Sequence, residues 1–236
     1  MAIRFGQTAS RLINFIINDV LPPVLRDSRL MAPLFWLAFG REKAALFMRF
    51  RDHADGMTEA DFAQVYRETA ACDLKKDADI STVLLQRVVS ECKGAAQIID
   101  VGCGRGRLAL ALAAHDFSVL GLDLGRTCPV GLEGRYLIAR SESLPIADNA
   151  IDVAVCAHVL EHIPDVFTAM SELRRVSKRK IIIVLPVERP YRFGFNLHVW
   201  FFPYRLSVLQ VLRPPAGASW LLERHANEWL YIETHG

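Results

Sequence analysis

Three glycines at alternate positions, Gly102, Gly104 and Gly106, lie between two aspartates, Asp100 and Asp123. They follow the apolar run "QIIDV" and precede another, "LALALAA". Glycine accepts positive φ and lets a ligand touch the main chain. A strand running into these glycines and then into a helix therefore reads as a binding turn. Asp123 closes the next strand candidate, 17 residues after Gly106. A carboxylate there can accept hydrogen bonds from both hydroxyls of a ribose. The chemistry such a set supports is the holding of a nucleoside-bearing cofactor. Spacing alone leaves its kind open. A dinucleotide fingerprint begun at Gly104 and Gly106 ends on Ala109, which its looser G/A form tolerates, although Asp100 has no place in it.

A second constellation is "HVLEH", His158 to His162. It matches the H-x-x-E-H pattern of a class of zinc peptidases. On a helix, His158 and His162 would share one face, as zinc needs. Here the motif directly follows a strand candidate, and Pro164 comes two residues after it. It reads instead as a loop and short turn facing a substrate, and no metal is expected. His162 is the first candidate for a general base and His198, in "FNLHVWFF", the second.

The elements that would position these residues change in texture along the chain. Residues 1–78 read as a helical extension. "SRLINFIIND" and "REKAALFMRFRDHA" carry apolar residues at spacings of three and four, and Pro22, Pro23 and Pro33 break the region into short pieces. "MTEADFAQVYRETAA" reads as a further helix with Thr58 as N-cap and Asp61 three residues on. Residues 79–236 form the second domain. "STVLLQRVVSEC" is an amphipathic helix capped by Ser81. Strand candidates follow in "QIIDVGC", "FSVLGLDL", "GRYLIARS", "AIDVAVCAH" and "RKIIIVLPV", with helices at 106–115 and 164–178. That alternation predicts an α/β fold with a parallel sheet covered on both faces. "SWLLERHANEWLYIETH" reads as two strands joined at "HAN", so the sheet should finish with an antiparallel hairpin.

Composition narrows the class. The chain has 236 residues and a net charge of +2, too near neutral for a nucleic-acid binder. Residues 1–51 are an exception, with eight Lys/Arg against three acids. The basic run "RRVSKRK" reads as the solvated end of the helix before the fifth strand. Five scattered cysteines without a C-x-x-C pair argue against a disulfide framework or zinc knuckle, and fit a reducing cytoplasm. No secretory signal is visible, and "MAPLFWLAF" is far short of the ~20 residues that span a bilayer. "ERPYRFGFNLHVWFFPYRL" holds seven aromatic residues, which suits an apolar or ring-shaped acceptor.

Four segments in order, "DVGCGRGRLALALA", "LGLDL", "SESLPIADNAIDVAVCAHVLEHIPD" and "ELRRVSKRKIIIVLP", resemble the motifs of class I S-adenosylmethionine-dependent methyltransferases of the type 11 domain kind. The resemblance covers residues 80–188. It implies a Rossmann-like, doubly wound sheet of seven strands, mostly parallel with the last strand antiparallel. It implies S-adenosylmethionine as cofactor, with Gly102, Gly104 and Gly106 beside its methionine part, Asp100 at its amino group and Asp123 at its ribose. Cys103, Leu124, Ser141, Glu142 and Ala157 complete the expected cofactor-binding set. The acceptor would be a small molecule or a glycolipid or polysaccharide, methylated on oxygen or nitrogen. "LPPVLRDSRL" and "FFPY" resemble segments of bacterial enzymes of envelope pathways. The N-terminal helices would then serve as a lid, a homodimer surface or a peripheral contact at the inner face of the membrane. One position departs from the family. Arg140 stands where an aspartate commonly meets the adenine amino group, and an arginine cannot accept that hydrogen bond. The alternative reading is a non-catalytic binding or assembly protein on a degenerate methyltransferase fold.

Overall fold

Strand β5, Ser177–Pro186, divides the core in two. Ile181, Ile183 and Leu185 face one side of it and Ile182 and Val184 the other, and all five are buried. An unbroken apolar run such as Ile181–Leu185 suits a sheet covered on both faces. The computed structural model describes residues 20–28, 30, 32–41, 45, 50, 53–58, 61, 62, 64, 65, 80–125, 128–191 and 197–235. By its contacts the chain divides into Met1–Lys75 with Glu188–Val199, and Lys76–Val187 with Trp200–Gly236. Residues 188–199, which run on from the fifth strand in sequence, thus group with the N-terminal unit.

The larger unit contains the sheet. Its other strands are β1 (Gln97–Val101), β2 (Ser118–Asp123), β3 (Tyr136–Ile138), β4 (Ile151–Ala157), β6 (Ser219–His225) and β7 (Glu228–Thr234). The spatial order is β3-β2-β1-β4-β5-β7-β6. Pairs from β3 to β5 are parallel, and β7 runs antiparallel to both β5 and β6. This is the doubly wound seven-stranded sheet with a reversed last strand that the sequence implies. The β6–β7 hairpin turns through Ala226 and Asn227, with Ala226 at φ 51.

Helices cover the two faces. In the N-terminal unit, α1 is Pro23–Arg26 and α2 is Ala32–Phe39. In the larger unit, α3 (Thr82–Glu91) and α4 (Arg107–Ala113) bury Leu84, Val88, Leu108 and Leu112 on one face. On the other, α5 (Val166–Val176) and α6 (Arg205–Leu212) bury Met170, Leu173, Val208 and Leu212. Ser81 caps α3 by accepting the Leu84 N–H, as its sequence predicts. Helix α5 stops two residues before its expected end, and β5 begins at once. The basic run is therefore not simply a solvated helix end. Arg174 is bidentate on the buried Glu233, Arg175 bridges Glu172 and Asp148, and Lys180 pairs with Glu91. Helix α6 is absent from the sequence reading.

In the N-terminal unit, Thr58 and Asp61 exchange the expected capping bonds, Thr58 N–H to Asp61 Oδ2 at 2.9 Å and Asp61 N–H to Thr58 Oγ1 at 3.3 Å. Phe50 and Phe62 meet edge to face at 5.3 Å between ring centres, over Val65 and Leu197. The predicted helix "SRLINFIIND" lies outside the described residues, as do most of "REKAALFMRFRDHA" and residues 192–196 of the aromatic segment. Among the described residues no helix is long and apolar enough to cross a membrane.

Candidate cofactor site

The strand order changes direction between β1 and β4, and the glycine turn leaves the carboxyl end of β1 at that point. Open α/β sheets bind small molecules in this crevice. Gly102 and Cys103 both donate their N–H to the Leu122 carbonyl, at 2.7 and 2.9 Å, which ties the turn to β2. Gly106 donates to the Cys103 carbonyl at 2.7 Å and caps α4. The three glycines have φ of 74, 52 and 76. Their surroundings differ. A Cβ on Gly102 would lie 2.2 Å from Val159 Cγ2, and one on Gly106 2.8 Å from Leu132 Cδ1. A Cβ on Gly104 would meet nothing within 4 Å. Gly102 and Gly106 are glycines because protein fills their space. Gly104 is the member of the trio that opens outward. The Cys103 thiol is buried, and a Cβ on Gly121 would come within 3.0 Å of its sulfur. Cys103 therefore shapes the turn from inside.

Asp100 is 2% exposed. The Ala109 N–H, third in α4 and without a helical partner of its own, holds the Asp100 carboxyl. Among the described residues, Oδ2 of Asp100 has no hydrogen-bond partner. Burial pushes this carboxyl up to about 7, against the Ala109 hydrogen bond and with help from the negative charge of Asp123. A buried acceptor without a donor is costly and rare in folded proteins. Asp123, at the end of β2, accepts Gly104 N–H on Oδ2 at 2.8 Å and Gly125 N–H on Oδ1 at 2.9 Å. Both oxygens keep a second lone-pair direction. The Gly125 carbonyl accepts the Tyr136 hydroxyl at 2.6 Å, which fixes the loop from β3.

Two apolar side chains stand exposed at this end of the sheet: Leu124, 52%, directly after Asp123, and Ile138, 57%, which pairs with Asp123 across the strands. Ile138 escapes a sequence reading because it ends a strand of only three residues. Beyond β3, Arg140 turns back onto Glu142 at 2.6 Å, and the buried Ser141 donates its hydroxyl to the same carboxylate at 2.8 Å. Arg140 is thus engaged with Glu142.

Ala157 ends β4, and His158 follows it at φ 56 before the 3-10 turn Leu160–His162. The strand end and the left-handed residue break the helix that a zinc motif needs. His158 instead sits between Glu228, at 2.9 Å, and Glu161, at 3.6 Å. His162 lies half-buried at the end of that turn and donates its N–H to the Val159 carbonyl at 2.9 Å. His198 belongs to the other unit, where Glu188 holds its Nδ1 and also accepts the Tyr191 hydroxyl.

The crevice, the open glycine and the two aspartates together offer the chemistry that a nucleoside-bearing cofactor needs. Residues 99–185 match the family described as "Methyltransferase domain". A protein of Mycobacterium sp. (strain KMS) described as an uncharacterized methyltransferase is 32% identical over 109 residues, covering 43% of this chain and 42% of its own. The uncharacterized methyltransferase YcgJ of Bacillus subtilis is 28% identical over 127 residues, covering 50% and 48%. The chain thus spans less than half the length of these curated relatives. Among solved structures, 1,6-didemethyltoxoflavin-N1-methyltransferase of Burkholderia thailandensis, with bound 1,6-didemethyltoxoflavin and S-adenosylhomocysteine, has the same fold. It superposes with a TM-score of 0.57 at 16% identity, over 82% of this chain and 89% of that one. Over residues 99–185 the chain is thus similar to methyltransferase domains, and its sheet has the fold of an S-adenosylhomocysteine-bound methyltransferase.

Proposed function

We propose that the chain binds S-adenosylmethionine at the carboxyl ends of β1 and β2 and methylates a hydroxyl or amine of a small-molecule or lipid- or polysaccharide-linked acceptor. The observation that carries the reading is Asp100 Oδ2, a buried acceptor left without a donor. A cofactor amino group supplies that donor. Gly104 leaves room for it, and Asp123 accepts from the ribose. Leu124 and Ile138 offer apolar surface to the base, with Ser141, Glu142 and Ala157 bordering it. When bound, the sulfonium cofactor supplies an already activated methyl group. What remains for the protein is to align the acceptor and take its proton. His162 is the base proposed here, and His198 the second candidate. The aromatic segment from residue 191 to 204 supports an apolar acceptor. The basic first 51 residues support a peripheral contact with an anionic membrane face, readable by vesicle flotation.

Titration calorimetry of the full chain with S-adenosylhomocysteine tests the cofactor reading. Binding that disappears in Asp123→Ala is expected. A folded, monodisperse chain with no measurable affinity sinks it and favours the non-catalytic alternative.

A further inference from the structure

His158 occupies a conformation that L side chains rarely adopt, φ 56. Such a residue persists only where its surroundings over-determine it, and these residues cluster at functional sites. Its N–H donates to the Val184 carbonyl at 2.9 Å. Its ring Nε2 is 2.9 Å from Glu228 Oε1 on β7, and Nδ1 is 3.6 Å from Glu161 Oε1 on the 3-10 turn. Burial opposes charge on the ring, but the two carboxylates outweigh it and lift the imidazole to about 9. The ring and the Glu228 carboxylate, itself held below its ordinary range by that ring, are therefore a charged pair at neutral pH. Glu228 extends it, since its Oε2 accepts the N–H of Ser81, the N-cap of α3, at 3.4 Å.

The residue after His158 touches the cofactor turn. Val159 fills the space over Gly102, where a Cβ would stand 2.2 Å from it. The Val159 carbonyl also accepts the His162 N–H at 2.9 Å, and the Glu161 carbonyl accepts the Trp200 N–H at 3.1 Å. An ion pair that only stabilised the fold would need neither the strained backbone nor the neighbour seated on the glycine turn.

We propose that His158 is a positioning residue: bridging Glu161 and Glu228, it fixes the loop 157–163 and so sets, through Val159, the shape of the glycine turn and, through the 3-10 turn, the aim of His162. This rests on the S-adenosylmethionine-binding reading of that turn. The test uses the full chain, S-adenosylhomocysteine calorimetry and histidine ring signals in carbon-edited NMR. Two variants serve, Glu228→Gln, which keeps shape and removes charge, and His158→Asn, whose short amide tolerates the left-handed backbone. Folded variants should bind S-adenosylhomocysteine about 5-fold or more weakly, within the usual range of coupling between sites. The His162 ring signal should move in both. Affinities within twofold of wild type with an unmoved His162 signal overturn the proposal. Should neither variant fold, the wild-type chain decides. Its His158 ring must show both nitrogens protonated at pH 7 and must shift when S-adenosylhomocysteine saturates the protein. A neutral ring, or one indifferent to the ligand, overturns the proposal. A wild-type chain that binds no S-adenosylhomocysteine removes the cofactor reading as well, so the two failures are distinguishable.

Discussion

In the proposed reading, Asp100 sets cofactor binding against stability. Its carboxyl rises from an ordinary 3.8 to about 7, chiefly through burial. A carboxyl raised on folding stabilises the fold when protonated. That contribution is fully present below about pH 4 and is lost as pH rises through about 7. Two units of the shift lie between pH 5 and pH 7, at ~1.4 kcal/mol each. The ligand-free chain should therefore lose roughly 3 kcal/mol from this group between pH 5 and pH 8. Asp100→Asn keeps the shape and an acceptor for the Ala109 N–H but never ionises. Its amide nitrogen places an unpaired donor where the protonated acid already places its O–H at pH 5, so the two chains should differ little there. Urea unfolding at the two pH values should then give diverging results. Wild type falls behind the variant by roughly 3 kcal/mol by pH 8. S-adenosylhomocysteine should invert the order at pH 8, because its amino group gives wild-type Oδ2 the missing donor. Removing one partner of a buried charge pair costs about 2 kcal/mol or more, so the variant should bind at least ~30-fold more weakly. A stability difference that does not change with pH, or unchanged ligand affinity, refutes the reasoning.

The glycines should separate by role: Gly104→Ala costs only the ~1–2 kcal/mol of a left-handed alanine yet weakens S-adenosylhomocysteine binding. Gly102→Ala, forced against Val159, should lose about 2–5 kcal/mol of stability, and melting curves with calorimetry distinguish the two. Arg174→Ala strips the bidentate partner from Glu233, which is fully buried, and should cost about 3–5 kcal/mol in urea unfolding. Burial pushes the thiols of Cys92 and Cys103 up to about 12 and that of Cys156 well above its ordinary value, whereas Cys128 is half-exposed. A thiol reagent at pH 8 should therefore modify Cys128 in the native chain and these other three only on unfolding. Rapid labelling of Cys103 contradicts its packing under Gly121.

Much of the sheet is legible because burial on both faces leaves an uninterrupted apolar run, as in "IIIVL", and because the hairpin carries its turn beside it. Boundaries are not. "RRVSKRK" looks like one charged helix end, but nothing local says that Arg174 reaches Glu233, 59 residues away, or that Lys180 reaches Glu91, 89 residues away. Those partners let β5 begin at Ser177. Helix α6 has its own signals, with Val208, Val211 and Leu212 buried at helical spacing and Ser207 accepting the N–H of Tyr204, the residue before the helix, at 3.2 Å. They are hidden because the aromatic residues before them read as one lining segment.

The same division runs through the candidate site. Asp100, the glycines and Asp123 stand out in sequence because a strand, a turn and a helix start bring them together within 24 residues. What each glycine does is invisible there, since Val159 and Leu132, which fill the space at Gly102 and Gly106, come from other loops. "HVLEH" misleads for the same reason. Helical spacing pairs its histidines with each other, whereas the fold pairs His158 with Glu228, 70 residues on. A cofactor shared by many reactions is held by short-range backbone geometry that any reader of the sequence can recognise. An acceptor is chosen by side chains that meet only when distant loops close, so a cofactor turn is legible before an acceptor pocket is.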